Sequence, residues 1–269
     1  MNAISFLYRS LIAATLLLTA PALAAAADDC SAPEALTADA APLPHVAAAL
    51  KPGGHLDVLV VGSATVFSPG ALQRPRFRQM LGLDPAKPST TSPVVTFPQQ
   101  MANLLRSKYP DLTVTVTVKG GRGMAAAEML DILRTEVAAH PYQLVIWQTG
   151  TVEAIKHVPA SNFTQTLSEG AAAVAQAGAD LVLVDPQFSR FLLAHTDLDP
   201  YAEVMRQAAA RPNAFLFQRF DLMRFWAEAG RIDLERTPRG QRVKMVSMLH
   251  ACLGEQLARM VDTVARHPS

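Results

Sequence analysis

Leu56-Asp57-Val58-Leu59-Val60-Val61-Gly62-Ser63-Ala64 is the stretch on which the reading of this chain turns. It is a short, valine-rich apolar run stopped by Gly-Ser, the pattern of a strand buried on both faces. The carboxyl end of such a strand hands one hydroxyl, that of Ser63, to a loop. Ligands of open α/β sheets bind outside the carboxyl ends of the strands, so Ser63 is the first candidate nucleophile. The other reading is that Gly62-Ser63 simply turns the chain.

Working outward, strands and helices alternate. Leu112 to Val118 (Leu-Thr-Val-Thr-Val-Thr-Val) is β-branched and strictly alternating, which predicts a strand near a sheet edge, with one polar face. Tyr142 to Gln148, Ala179 to Asp185 and Ala214 to Phe217 read as three further strands. Helices are expected over about 98–108, 124–139, 161–177 and 200–210, with a last one from about Gly240 to Arg266. This alternation predicts a three-layer αβα domain around a five-stranded, parallel, doubly wound sheet, flavodoxin-like in its winding. Residues 56–269 form that single domain, preceded by an Ala/Pro-rich lead-in over 25–55. The stretch from Phe67 to Pro98 contains six prolines, Pro98 included. A connection so long and broken is either a substrate wall beside Ser63 or a disordered insertion.

Basic and acidic residues nearly cancel, 24 against 23, and no Lys/Arg cluster stands out. That argues against a nucleic-acid partner and for a small molecule or neutral polymer. At the amino end Arg9 precedes the apolar run Leu11 to Leu18, and Ala22-Leu23-Ala24 offers a small-x-small cleavage site. This reads as a secretory signal over 1–24, with an uncleaved anchor as the other possibility. Elsewhere no run approaches the ~20 apolar residues of a membrane span. The expected location is therefore periplasmic or secreted. The two cysteines, Cys30 and Cys252, are then candidates for a disulfide, with two free buried thiols the alternative.

Three strand ends converge in principle: Gly62-Ser63, the glycines Gly120 to Gly123, and Gln148-Thr149-Gly150-Thr151. Glycines between a strand and a helix let backbone amides approach a ligand, as an oxyanion hole requires. The spacing of the Gly120 cluster is not that of a dinucleotide fingerprint, so no cofactor is expected. No His/Cys/carboxylate spacing resembles a metal ligand set either. A serine nucleophile needs a base, and His250 in Ser247-Met248-Leu249-His250 is the best placed histidine. His157 and His195 are more in keeping with surface or packing roles.

The order of these blocks resembles that of the SGNH, or GDSL-type, hydrolases of exported bacterial esterases. Val61-Gly62-Ser63-Ala64, Gly120 to Gly123, Trp147-Gln148-Thr149-Gly150-Thr151-Val152-Glu153 and Ser247-Met248-Leu249-His250 carry the likeness. It extends to Asp185-Pro186-Gln187 and Arg219-Phe220-Asp221-Leu222-Met223. It implies an ester hydrolase or acetyl esterase acting on a small or carbohydrate ester. Ser63 would be its nucleophile and His250 its base, with the Ser63 and Gly123 amides, and Thr151, as oxyanion donors. Gln148, Arg122 and Glu153 would line the substrate site.

Two positions depart from the family pattern. Val152 stands where the family has its oxyanion asparagine, and Ser247 where it has its catalytic aspartate. Loss of one oxyanion donor costs about 10²–10³ in turnover, and loss of the orienting carboxylate about 10⁴. The alternative function is therefore an impaired relative that binds a glycan or a protein partner. Ala251-Cys252-Leu253-Gly254 follows His250 without a turn signal, which suggests that His250 lies inside the last helix.

Overall fold

The apolar runs become five parallel strands: β1 (His55–Gly62), β2 (Thr113–Gly120), β3 (Leu144–Gln148), β4 (Asp180–Val184) and β5 (Ala214–Phe217). Their order is β2-β1-β3-β4-β5, so the winding reverses between β1 and β3. The computed structural model describes residues 30–36, 42–63 and 94–266. The expected signal segment lies outside these, as does most of the proline-rich connection.

Nine α-helices accompany them among the described residues: α1 (Pro44–Ala49), α2 (Phe97–Lys108), α3 (Ala126–Ala139), α4 (Thr151–Ile155), α5 (Ala160–Gln176), α6 (Arg190–His195), α7 (Asp199–Ala209), α8 (Arg219–Glu228) and α9 (Arg242–Arg266). The predicted doubly wound αβα sandwich is what the chain adopts. Strands β3 and β4 are buried at every position because successive side chains enter opposite layers. Val58, Val60, Ile146, Val182 and Phe217 join one core with α1, α2, α8 and α9. Leu59, Val61, Trp147, Leu183 and Ala214 join the other with α3, α5 and α7. The threonine-rich strand, β2, is at the edge, as its polar face requires.

The lead-in contributes more than its composition suggests. Leu43 and Val46 are fully buried, and the Val46 N–H donates to the carboxylate of Asp180 at 2.8 Å. Cys30 and Cys252 form a disulfide across a sequence separation of 222. Trp226 Nε1 and Arg231 also donate to the Ser31 carbonyl. Closing so large a loop restrains the unfolded chain by roughly 4–5 kcal/mol in the chain-entropy description.

Candidate active site

Ser63 leaves the end of β1 at the point where the sheet reverses its winding, the crevice in which open α/β sheets bind ligands. Its neighbourhood is set by close backbone approach. Gly62 pairs in register with Gly120 of β2. A Cβ on Gly120 would sit 2.1 Å from the Gly62 carbonyl oxygen, and its φ of +115° is one that side chains resist. On the other side, Gln148 at the end of β3 donates from Nε2 to Ser63 Oγ at 3.2 Å. The structure thus brings Ser63 and Gln148 together, and Gln148 is almost wholly buried.

The other residues expected at this site have surroundings of their own. Glu153 is 1 % exposed. Its carboxylate accepts from the Gly150 N–H at 2.7 Å, the Thr149 hydroxyl at 3.0 Å and the Ala126 N–H. It therefore ties the start of α4 to the start of α3, and those bonds occupy it. Thr151 accepts the Gln187 N–H at 3.3 Å and so joins the loops that leave β3 and β4. Arg122 and Gly123 are exposed, and the Gly123 carbonyl accepts from Lys156 Nζ at 2.9 Å. Val152 is partly buried in the first turn of α4.

His250 lies inside α9, with Ser247 one turn before it on the same side of the helix. The ring is 6 % exposed, and its Nδ1 accepts the backbone N–H of Phe97 at 3.1 Å. Phe97 is the first residue of α2, so this N–H is one of the amides the helix itself cannot satisfy. The helix start is fixed locally, where the Thr96 N–H and hydroxyl both donate to Gln99 Oε1. His250 thus caps α2 from a residue 153 positions away. The neutral ring then keeps its proton on Nε2, because Nδ1 must offer a lone pair to Phe97. Turning the ring over would set a C–H against that amide.

This tautomer is the reverse of what a catalytic relay needs. In the Ser-His-Asp arrangement the carboxylate receives a proton from Nδ1–H, which leaves Nε2 free to take the serine proton. Burial pushes His250 down to about 4, and the charge of Arg219 acts in the same direction. The positive end of the α2 dipole also disfavours a charged ring there. Arg219 is itself buried and is lowered to about 10 by desolvation, partly offset by Asp185. Asp185, just past the end of β4, is pushed up to about 7 by burial, against the Phe220 N–H that it accepts at 2.9 Å.

His157 and His195 are both exposed, the latter bonded within α6 to the Phe191 carbonyl at 2.7 Å. Among the described residues no three His, Cys, Asp or Glu side chains form a metal-binding group. No described helix is long and apolar enough to cross a membrane. Sequence reasoning missed the Phe97–His250 contact. Its only local trace is Thr96-Phe97-Pro98-Gln99, a helix start with no sign of its distant partner.

The profile of the Non-GDSL lipase-like family matches residues 29–267. Among solved structures, the chain is similar to Axe2, an acetyl-xylooligosaccharide esterase from Geobacillus, at 16% identity and TM-score 0.56, over 77% of this chain and 94% of that one. It is also similar to a two-domain esterase active on acetylated mannans, at 13% identity and TM-score 0.57, over 85% of this chain and 55% of that one. A third is TesA, at 17% identity and TM-score 0.51, over 77% of this chain and 99% of that one. Such likenesses speak for the fold. A comparison with curated proteins finds no match.

Proposed function

The chain belongs to the Non-GDSL lipase-like family, within the wider SGNH-type hydrolase fold, and we propose that it is an ester-directed member that binds its substrate at Ser63 without a competent general base. The observation that carries this reading is the Phe97 N–H donated to His250 Nδ1. It occupies the nitrogen that an aspartate orients in a working relay and leaves a proton on the nitrogen that has to receive one. Ser247, one turn away, offers no carboxylate to reverse this. Turnover without an oriented base falls by about 10⁴.

The substrate under this reading is a small or carbohydrate ester, held between Ser63, Gln148 and the Gly120 turn. The Cys30–Cys252 disulfide supports export to an oxidising compartment, as do the amino-terminal features. A second reading, efficient hydrolysis through Ser63, is favoured by the Gln148 donor at its hydroxyl. Titration of the mature protein with a fluorophosphonate probe separates the two. Labelling far slower than that of an esterase with a complete triad is expected. Rapid labelling that vanishes in Ser63→Ala would overturn the proposal.

A further inference from the structure

A cavity of about 220 Å³ opens beyond the carboxyl ends of β4 and β5 and plays no part in the chemistry described so far. Asp185, Gln218 and the guanidinium-bearing Arg206 and Arg224 line it, beside the apolar Leu198 and Leu216. It shares an end of the sheet with Ser63. The Pro186 ring, also in its wall, lies 3.0 Å from where a Cβ on Gly150 would be, two residues past Gln148.

We propose that this cavity binds one neutral, polyhydroxylated ring, a single sugar residue. Size is the first argument. At about 30 Å³ per liquid water the space holds roughly seven waters, below the 300–1,000 Å³ of pockets that take drug-sized ligands. One ring fits.

Charge is the second. Arg224 is paired with Asp221 at 2.7 Å, and Arg206 with Glu203. Neither guanidinium presents an unbalanced charge to an incoming anion, and Asp199, also in the wall, stands in the first turn of α7, where the helix dipole offsets its charge. Asp185 is 6 % exposed and lies close to Arg219, which answers its charge.

The third argument is the pattern of donors and acceptors. A carboxylate has about four lone-pair sites, and the Phe220 and Arg219 N–H groups use only part of that capacity in Asp185. The Gln218 amide both donates and accepts. A hydroxyl does the same, so a ring bearing several suits this lining better than an ion, which does only one. The Leu198, Leu216 and Pro186 carbons provide the apolar wall on which the C–H face of a ring can rest. None of this requires Ser63 to react.

The test is ligand-observed NMR and calorimetry on the mature protein, with methyl glycosides of xylose, mannose and glucose as probes and acetate and octanoate as controls. At least one glycoside is expected to bind. At pH 8, above the Asp185 titration, its affinity should fall about tenfold or more in Asp185→Asn, which removes a charged acceptor from the lining. Ala202→Trp, which fills the cavity, should abolish it, and Ser63→Ala should leave it unchanged. The inference is overturned if no glycoside binds folded wild-type protein at tens of millimolar. It is equally overturned if binding survives Ala202→Trp, or if only the carboxylates bind. Fluorophosphonate labelling of Ser63 responds to none of these changes, so the two proposals fail separately.

Discussion

The serine half and the histidine half of the candidate site carry equally recognisable motifs and have opposite physical circumstances. Ser63 stands at a strand end, half-buried, with Gln148 donating to its hydroxyl. His250 is sealed between α9 and the start of α2, where its one lone-pair nitrogen satisfies a backbone amide. What a motif residue can do is set by which of its atoms are already engaged. A histidine that caps a helix through Nδ1 is a structural acceptor, whatever its place in a sequence pattern.

This contrast can be broken experimentally, beginning with the covalent bond that anchors the histidine half. Cys252 lies two residues after His250. Replacing both cysteines with alanine should lower the unfolding free energy by up to about 4–5 kcal/mol. Chemical denaturation would show it, and a loss below about 1 kcal/mol would mean that α9 holds its place without the disulfide.

His250→Ala should come next, costing about 2–4 kcal/mol through the orphaned Phe97 amide and the space left behind. It should scarcely change any residual ester hydrolysis. A large loss of rate with intact stability would reverse the assignment. The pH dependence gives the same test a sign. A ring at about 4 when folded and near 6.5 otherwise takes up its proton more readily when unfolded. Its contribution is complete above pH 6.5 and is lost as pH falls toward 4. Wild type should therefore lose more stability than His250→Gln across that window.

Asp185 has the opposite sign. Its carboxyl sits at about 7 when folded against an ordinary 3.8, so stability is lost as pH rises between those values. The stability of Asp185→Asn relative to wild type should therefore increase from pH 4 to pH 8, measured by thermal melts at each pH. A flat difference would mean that Arg219 compensates the buried charge fully.

The smallest effect expected is the most pointed. Ser247→Asp restores the family's carboxylate, yet it should raise ester turnover less than about tenfold, because the nitrogen it would orient is already accepting from Phe97. A gain of about 10³ or more would show that the ring turns over readily and that the histidine half is only dormant.

Much of the fold was legible because it depends on local pattern. Val58 to Val61 and Leu181 to Val184 are continuous apolar runs, and a run buried on both sides needs no more than a sheet with a helix layer on each face. The threonines of β2 announced an edge for the same reason. The position of His250 inside a helix could be read from the unbroken Ala251-Cys252-Leu253 that follows it. The role of Glu153 could not be read. A carboxylate beside a candidate site looks the same in sequence whether it meets a substrate or, as here, three groups of the protein itself.

From sequence alone came the strands, their alternation with helices, the family likeness, the absence of the family's asparagine and aspartate at Val152 and Ser247, and the pairing of Cys30 with Cys252 as one of two possibilities. Only the tertiary structure decided that the cysteines are joined, that Gln148 meets Ser63, and that His250 is spent on the first amide of α2. Strand and helix preferences act over a few neighbouring residues and leave a repeating signature. A hydrogen bond between residues 153 positions apart leaves none until the chain has folded.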